Sequence, residues 1–241
     1  MNYTNYIFDL YGTLVDIHTD ESDPELWERM ALYLRYRGMA DVQPEELQRQ
    51  YISLCGEEQR RAEAALARKK IPGPAEIDVV KVWKKLIMQN GGTASQKAAA
   101  DAAQLFRALS MVHLRLYDGA AEVLKELRNR GRKVVLLTNA QSCFTVPELR
   151  QLGLTDCFDQ IFLSSDFGCR KPSPAFFRAA MEKAQVTADE LLMVGNDPTA
   201  DIRGADGCGI ESRYYHTHQS PPRSGPLPGG CREIARLTDL L

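Results

Sequence analysis

Residues 6–16 read Y-I-F-D-L-Y-G-T-L-V-D, an apolar run that closes on the carboxylate of Asp9 and turns at Gly12. A short run too apolar to alternate is what a strand covered on both faces of a parallel sheet looks like. Similar runs recur at 133–138 (K-V-V-L-L-T), 159–164 (D-Q-I-F-L-S), 190–195 (E-L-L-M-V-G) and, in a weaker form, 209–215 (G-I-E-S-R-Y-Y). Helical patterns lie between the later runs. Residues 120–130 place Val123, Leu124 and Leu127 on one stripe ahead of Gly131. Ser173-Pro174 reads as an N-cap with proline at the first helical position, followed by Phe177, Ala180 and Met181. Strand alternating with helix gives an α/β fold with a Rossmann-like parallel sheet as its core.

Residues 23–113 follow a different rule, with four helical patterns and no convincing strand. Asp23-Pro24 opens the first, with Leu26, Trp27, Met30 and Leu34 on one face and Gly38 as its stop. Pro44 opens the second, with Leu47, Tyr51 and Leu54. The third covers about 75–89, with Val79, Val80, Trp83 and Ile87, and the fourth about 95–112, with Leu105, Phe106 and Leu109. The sequence therefore divides into a core of 1–16 and 114–241 and an inserted α-helical domain of 17–113. The basic run at 60–70 (R-R-A-E-A-A-L-A-R-K-K) reads as a solvated helix face, and S-P-P-R-S-G-P-L-P-G-G at 220–230 as a loop.

Composition narrows the partners. The chain of 241 residues is 44% hydrophobic, enough for a buried core. Thirty basic and thirty-two acidic residues leave a charge of −2, without the broad basic footprint that nucleic acid or an anionic membrane would call for. No apolar stretch reaches membrane-spanning length, and the first ten residues lack the basic and cleavage regions of a signal peptide. A cytoplasmic protein acting on a small molecule is expected. The six cysteines form no C-x-x-C pair, which argues against a zinc site or a disulfide framework. His216 and His218, placed at a strand end remote from the motifs below, read as incidental.

Ligands of open parallel sheets bind beyond the carboxyl ends of the strands, so polar residues following the apolar runs are the candidates. They are Asp9 to Thr13, Thr138 and Asn139, Lys171 in G-C-R-K-P-S-P, and Asn196, Asp197 and Asp201 in G-N-D-P-T-A-D. Together they offer a carboxylate nucleophile, hydroxyl and amide donors, a fixed cation and a second acidic cluster. An ionised Asp9 can attack phosphorus or carbon and form a covalent intermediate. An anionic substrate needs its charge offset, and Mg²⁺ held by carboxylates and a backbone carbonyl is a common means. Lys171 would add positive charge, while the Thr138 hydroxyl would donate to the equatorial oxygens. Each residue alone reads more simply as a turn former, a cap or a surface lysine. All of them, in order at successive strand ends, read as a site.

F-D-L-Y-G-T-L-V-D, L-L-T-N, R-K-P-S-P-A-F-F and V-G-N-D-P-T-A-D-I-R-G-A, in this order, resemble the four motifs of the haloacid dehalogenase superfamily of hydrolases. The helical insert resembles that superfamily's small type 1 cap, and L-Y-D-G-A-A-E-V-L (116–124) the lead-in to its second motif. The resemblance covers essentially the whole chain. It implies Asp9 as nucleophile, Thr13, Thr138 and Asn139 as substrate-binding residues, and Lys171 as the cation that orients the reacting group. It also implies a Mg²⁺ site drawn from Asp9, the Tyr11 carbonyl, Asn196, Asp197 and Asp201.

The chain departs from the family's phosphatases at Tyr11, where most of them carry a second aspartate that serves as acid and base. A phenol, with an ordinary pKa of about 10, is a poor base near neutrality, although it can donate a proton or hydrogen bond. D-x-Y-G-T resembles instead the metal-independent 2-haloacid dehalogenases, whose halide leaves without an acid and is held by a cap arginine. Arg35 and Arg37 lie in a suitable stretch but read as solvent-facing. Asp197 and Asp201 pull the other way, because a carboxylate-rich loop would repel a haloacid. Phe177 stands where those dehalogenases carry a tyrosine. A Mg²⁺-dependent phosphatase is the leading expectation, a dehalogenase the second, and a catalytically weak binding protein the third.

Overall fold

The computed structural model describes residues 3–241. The chain begins with β1 (Asn5–Phe8), buried along its length, turns at Gly12 and continues into β2 (Val15–Thr19). Four helices follow, α1 (Pro24–Tyr36), α2 (Pro44–Lys69), α3 (Val79–Gln89) and α4 (Gln96–Ser110), and the chain returns through β3 (Met111–Leu116). Next come α5 (Ala120–Asn129), β4 (Lys133–Thr138), α6 (Ser142–Gln151), β5 (Gln160–Leu163), α7 (Ser164–Phe167) and α8 (Pro174–Ala184). The last strands are β6 (Leu191–Gly195), β7 (Glu211–Tyr215) and β8 (Cys231–Ile234).

Six of the strands form one sheet in the order β5-β4-β1-β6-β7-β8, and every pairing in it is parallel. Strand order reverses across β1 and β6, and that reversal opens a crevice beyond their carboxyl ends. Apolar clusters cover both faces. Phe8, Leu136 and Val194 pack with Val123 and Leu127 of α5 on one side. Ile7, Val135 and Met193 pack with Phe176 and Phe177 of α8 on the other. Side chains alternate across a strand, so this two-sided covering is why the runs read as continuously apolar.

The insert has its own core. The Asp23 carboxylate accepts from the Glu25 amide ahead of Pro24, Asp78 from Val80, and the Ser95 hydroxyl from Ala98, satisfying the first free amides of α1, α3 and α4. Leu26, Trp27, Met30, Leu47, Leu86 and Phe106 then converge. Trp27, Tyr51, Trp83 and Phe106 touch through rings whose centroids lie 5.0 to 5.5 Å apart. Most of the 60–70 run is exposed on α2, in agreement with a solvated face.

Three local expectations are corrected. The fourth helix ends at Ser110, and Met111 to His113 belong to β3, which pairs antiparallel with β2. V-H-L-R-L (112–116) alternates apolar and polar residues, a strand signal that lay at the edge of a helical stretch. The core and cap are thus joined by a two-stranded ribbon. Ser173 precedes α8 as expected, but its hydroxyl donates to the Pro72 carbonyl at 2.6 Å instead of capping the helix. Strand β8, at the sheet edge after the 220–230 loop, has a sequence too short and polar to stand out.

Candidate active site

The first strand carries Asp9 to the crevice, where its amide donates to the Val194 carbonyl at 3.0 Å and so extends the sheet by one residue. The turn beyond it is tight. Gly12 has φ +86°, and a Cβ there would fall 2.3 Å from Nδ2 of Asn196. That close approach lets the two loops meet. The Thr13 hydroxyl lies 3.0 Å from Oδ2 of Asp9 and 3.2 Å from Oδ1 of Asn196, joining the first motif to the last.

Lys171 is the electrostatic centre. Its Nζ donates to Oδ1 of Asp9 at 2.7 Å and to Oδ1 of Asp201 at 2.6 Å, and all three residues are buried. Burial works against the lysine's charge, but the Asp201 and Asp9 carboxylates outweigh it and hold its pKa above the ordinary lysine value. Two buried anions share this one cation, and burial, with Asp9 adding to it, pushes Asp201 up to about 7 despite Lys171. The Asp201 carboxylate fits only because residue 195 is glycine, since a Cβ there would lie 2.3 Å from Oδ2. Asn139 fixes the lysine's backbone from both sides, with Oδ1 accepting from the Lys171 amide at 2.8 Å and Nδ2 donating to its carbonyl at 3.1 Å. The cap reaches this loop as well. Glu76 donates its amide to the Gly168 carbonyl at 3.1 Å, and Arg170 donates to Pro74 at 3.1 Å.

Asp9, Tyr11, Thr138, Asn139, Lys171, Asn196, Asp197 and Asp201 all line one cleft of about 160 Å³. Thr13 sits buried behind it. The donor set has the chemistry a Mg²⁺ ion takes: Asp9 and Asn196 bring hard oxygens together across the Thr13 hydroxyl. The other acids have different partners. Asp201 is tied to Lys171 and accepts the Asp197 amide at 3.0 Å, while the Asp197 carboxylate caps the π-helical turn Pro198–Arg203 through Thr199 and Ala200. Among the described residues, no three His, Cys, Asp or Glu side chains converge as a metal cage.

Tyr11 behaves unlike an acid aimed at substrate. Its hydroxyl donates to Oε2 of Glu148 and lies 3.0 Å from the Thr145 hydroxyl, both on α6. Glu148 also accepts from Nε of Arg107 on cap helix α4 at 2.7 Å, and that guanidinium stacks over the Tyr11 ring. Burial, then the Glu148 charge, raises the phenol's pKa far above the usual tyrosine range. Thr145, Glu148 and Arg107 carried no sequence signal, being ordinary helix residues.

The loop after β7 also belongs to the site, which corrects the reading of His218 as remote. His218 places Nε2 3.3 Å from Oδ1 of Asp16, Thr217 donates its hydroxyl to the Gly12 carbonyl at 2.8 Å, and Gln219 and Pro221 line the cleft. The rule of polar residues after strands, applied to the fifth run, would have found this loop. His216 pairs with the Tyr214 hydroxyl, and Arg35 pairs with Asp41 in solvent, as expected of surface groups.

Residues 3–209 match the family described as haloacid dehalogenase-like hydrolase. A phosphoserine phosphatase of Thermus thermophilus is 30% identical over 184 residues, 71% of this chain and 72% of that protein. A ribulose-1,5-bisphosphate 5-phosphatase of Halopiger xanaduensis is 34% identical over 42% of this chain and 42% of that protein, and a phosphoglycolate phosphatase of Vibrio vulnificus 33% identical over 52% and 56%. Two solved structures share the fold. A 2-haloacid dehalogenase from Pseudomonas syringae pv. Tomato superposes with a TM-score of 0.68 at 23% identity, over 99% of this chain and 96% of that one. The putative HAD-hydrolase YfnB of Bacillus subtilis, bound to magnesium, gives 0.55 at 24%, over 100% and 97%. No helix among the described residues is long and apolar enough to cross a membrane. With its motifs meeting at the switch point of a parallel sheet and the family match running from residue 3 to 209, the chain belongs to the haloacid dehalogenase-like hydrolases.

Proposed function

We propose that the protein is a Mg²⁺-dependent phosphatase of small phosphorylated metabolites that works through an aspartyl-phosphate at Asp9. The observation that carries this is the Asp9–Lys171–Asp201 cluster opening onto a cleft lined with oxygen donors. Asp9 attacks phosphorus along the axis that Thr13 and Lys171 fix for it. The Thr138 hydroxyl and nearby amides donate to the phosphoryl oxygens, and Lys171 offsets their charge, itself held by Asp201. Neutralising the meeting of two anions is the chemistry that a bound Mg²⁺ supplies, and Asp9, Asn196 and the Tyr11 carbonyl are the groups that would hold it, with Asp197 alongside. The phosphatase relatives support the same assignment.

The expected result is Mg²⁺-dependent release of phosphate from an aryl phosphate, lowered at least about a thousandfold in Asp9→Asn. No release across a panel of phosphorylated metabolites with metal present would sink the assignment. One observation favours a second activity, a metal-independent 2-haloacid dehalogenase: the Tyr11 hydroxyl is engaged with Glu148, and halide departs without an acid. Halide release from 2-chloropropionate in the presence of chelator would promote it.

A further inference from the structure

The phosphatase assignment leaves one chemical task unfilled, protonation of the departing group. An acid must reach the leaving oxygen directly or through one water. Apart from its amides, Ala200 and Pro221, the cleft is lined by Asp9, Tyr11, Thr138, Lys171, Asp197 and Asp201. Asp9 is the nucleophile. Lys171 gives two of its three N–H donors to Asp9 and Asp201, and Asp201, though it lines the cleft, has Oδ1 on Lys171 and Oδ2 on the Asp197 amide. Asp197 is turned onto the amides of Thr199 and Ala200. The Tyr11 hydroxyl points away, its hydrogen on Glu148 and its oxygen beside Thr145. Thr138 offers a hydroxyl, which is a hydrogen-bond donor and no proton source near neutrality. Asp16 stands apart, its carboxylate taken by His113, Arg115 and His218. No cap residue lines the cleft.

Resting on that assignment, we infer that this site is built for phosphoryl compounds whose leaving group departs as a stable anion, namely acyl phosphates, phosphoanhydrides and enol or aryl phosphates, in preference to alkyl phosphate monoesters. In the first step the bond from Asp9 Oδ to phosphorus forms while the phosphorus–oxygen bond to the leaving group breaks. The electron pair goes with that oxygen, which leaves as carboxylate, phosphate, enolate or phenolate. Water then attacks phosphorus, returning the Asp9 carboxylate and inorganic phosphate and giving its proton to solvent. Every atom and charge is accounted for without an acid from the protein. An alkoxide leaving group would have to depart in its unstable anionic form, and the missing proton transfer is worth about 10²–10⁴-fold in rate.

The test is kcat/KM of the full-length wild-type enzyme across acetyl phosphate, p-nitrophenyl phosphate, phenyl phosphate and a series of alkyl phosphates, with Mg²⁺ present. Expected is a steep fall with rising leaving-group basicity, alkyl esters trailing p-nitrophenyl phosphate by about 10²–10⁴-fold beyond their difference in solution reactivity. Tyr11→Asp, which restores a carboxyl beside the nucleophile, should narrow that gap. A flat dependence in the wild type, with alkyl and acyl phosphates consumed alike, overturns the inference while leaving a phosphatase in place. Absence of phosphate release even from acetyl phosphate overturns the phosphatase assignment and the inference with it. The wild-type series decides the matter even if the Tyr11→Asp chain fails to fold.

Discussion

At the carboxyl ends of its strands the core buries Asp9, Lys171 and Asp201 in mutual contact, whereas the cap closes around Trp27, Tyr51, Trp83 and Phe106. Both regions are buried, yet different forces hold them. The charged trio is stable only as a set, because removing one member leaves the others desolvated without a partner. The aromatic cluster depends on volume and area, and responds in proportion to what is cut away. The same chain thus carries a part where identity is decisive and a part where shape is.

Lys171→Met breaks the comparison hardest. Two carboxylates lose their shared cation, so stability should fall by about 3–5 kcal/mol and phosphate release should disappear. Denaturant melts of the two proteins check it, and a loss below about 1 kcal/mol with activity kept would contradict the electrostatic account. Phe106→Ala should cost a comparable 3–5 kcal/mol from the opposite cause, a cavity in the cap. At a temperature where the variant stays folded, turnover of a small aryl phosphate should change only a few-fold, since no cap residue lines the cleft. A complete loss of turnover in the folded variant would show the cap acting in the chemistry.

Asp201→Asn sharpens the electrostatic side through pH. The folded pKa of Asp201 is raised to about 7, above an unfolded value near 3.8, so the native state binds the proton more tightly. That contribution is fully present below the unfolded pKa and is lost as pH rises through about 7. The wild type should therefore lose melting temperature relative to Asp201→Asn between pH 4 and pH 8. A constant difference between the two would count against a shared-cation cluster. The smallest effect belongs to Trp83→Phe. Nε1 of Trp83 is a buried side-chain donor without a partner among the described residues, so losing its N–H offsets part of the lost packing. A net change within about 1.5 kcal/mol is expected by thermal melt.

Much of the core is legible in the sequence. The runs at 133–138 and 190–195 became β4 and β6 almost residue for residue, because strands buried on both faces leave an unbroken apolar imprint. Asp9, Thr138, Lys171 and Asn196 could be collected because a parallel sheet presents its strand ends to one edge. The ribbon of β2 and β3 escaped notice, since its pairing closes a loop of nearly a hundred residues and its strands look like the ends of their neighbours. The cap's helices were visible in their spacing, but nothing in that spacing told which side chains meet the core.

Local sequence carried the order of the buried sheet strands β1, β4, β5, β6 and β7, the four helices of the insert, and the identity of the polar residues at the strand ends. Turn chemistry and hydrophobic period act over a few residues and leave their mark locally. Only the tertiary structure decided what Tyr11 does. Its hydroxyl meets Glu148, 137 residues further on, and that carboxylate meets Arg107 of the cap. Which of the cleft's groups keep a proton to give depends on such long-range pairings, because a buried hydrogen bond forms wherever the fold brings donor and acceptor together, whatever their separation along the chain.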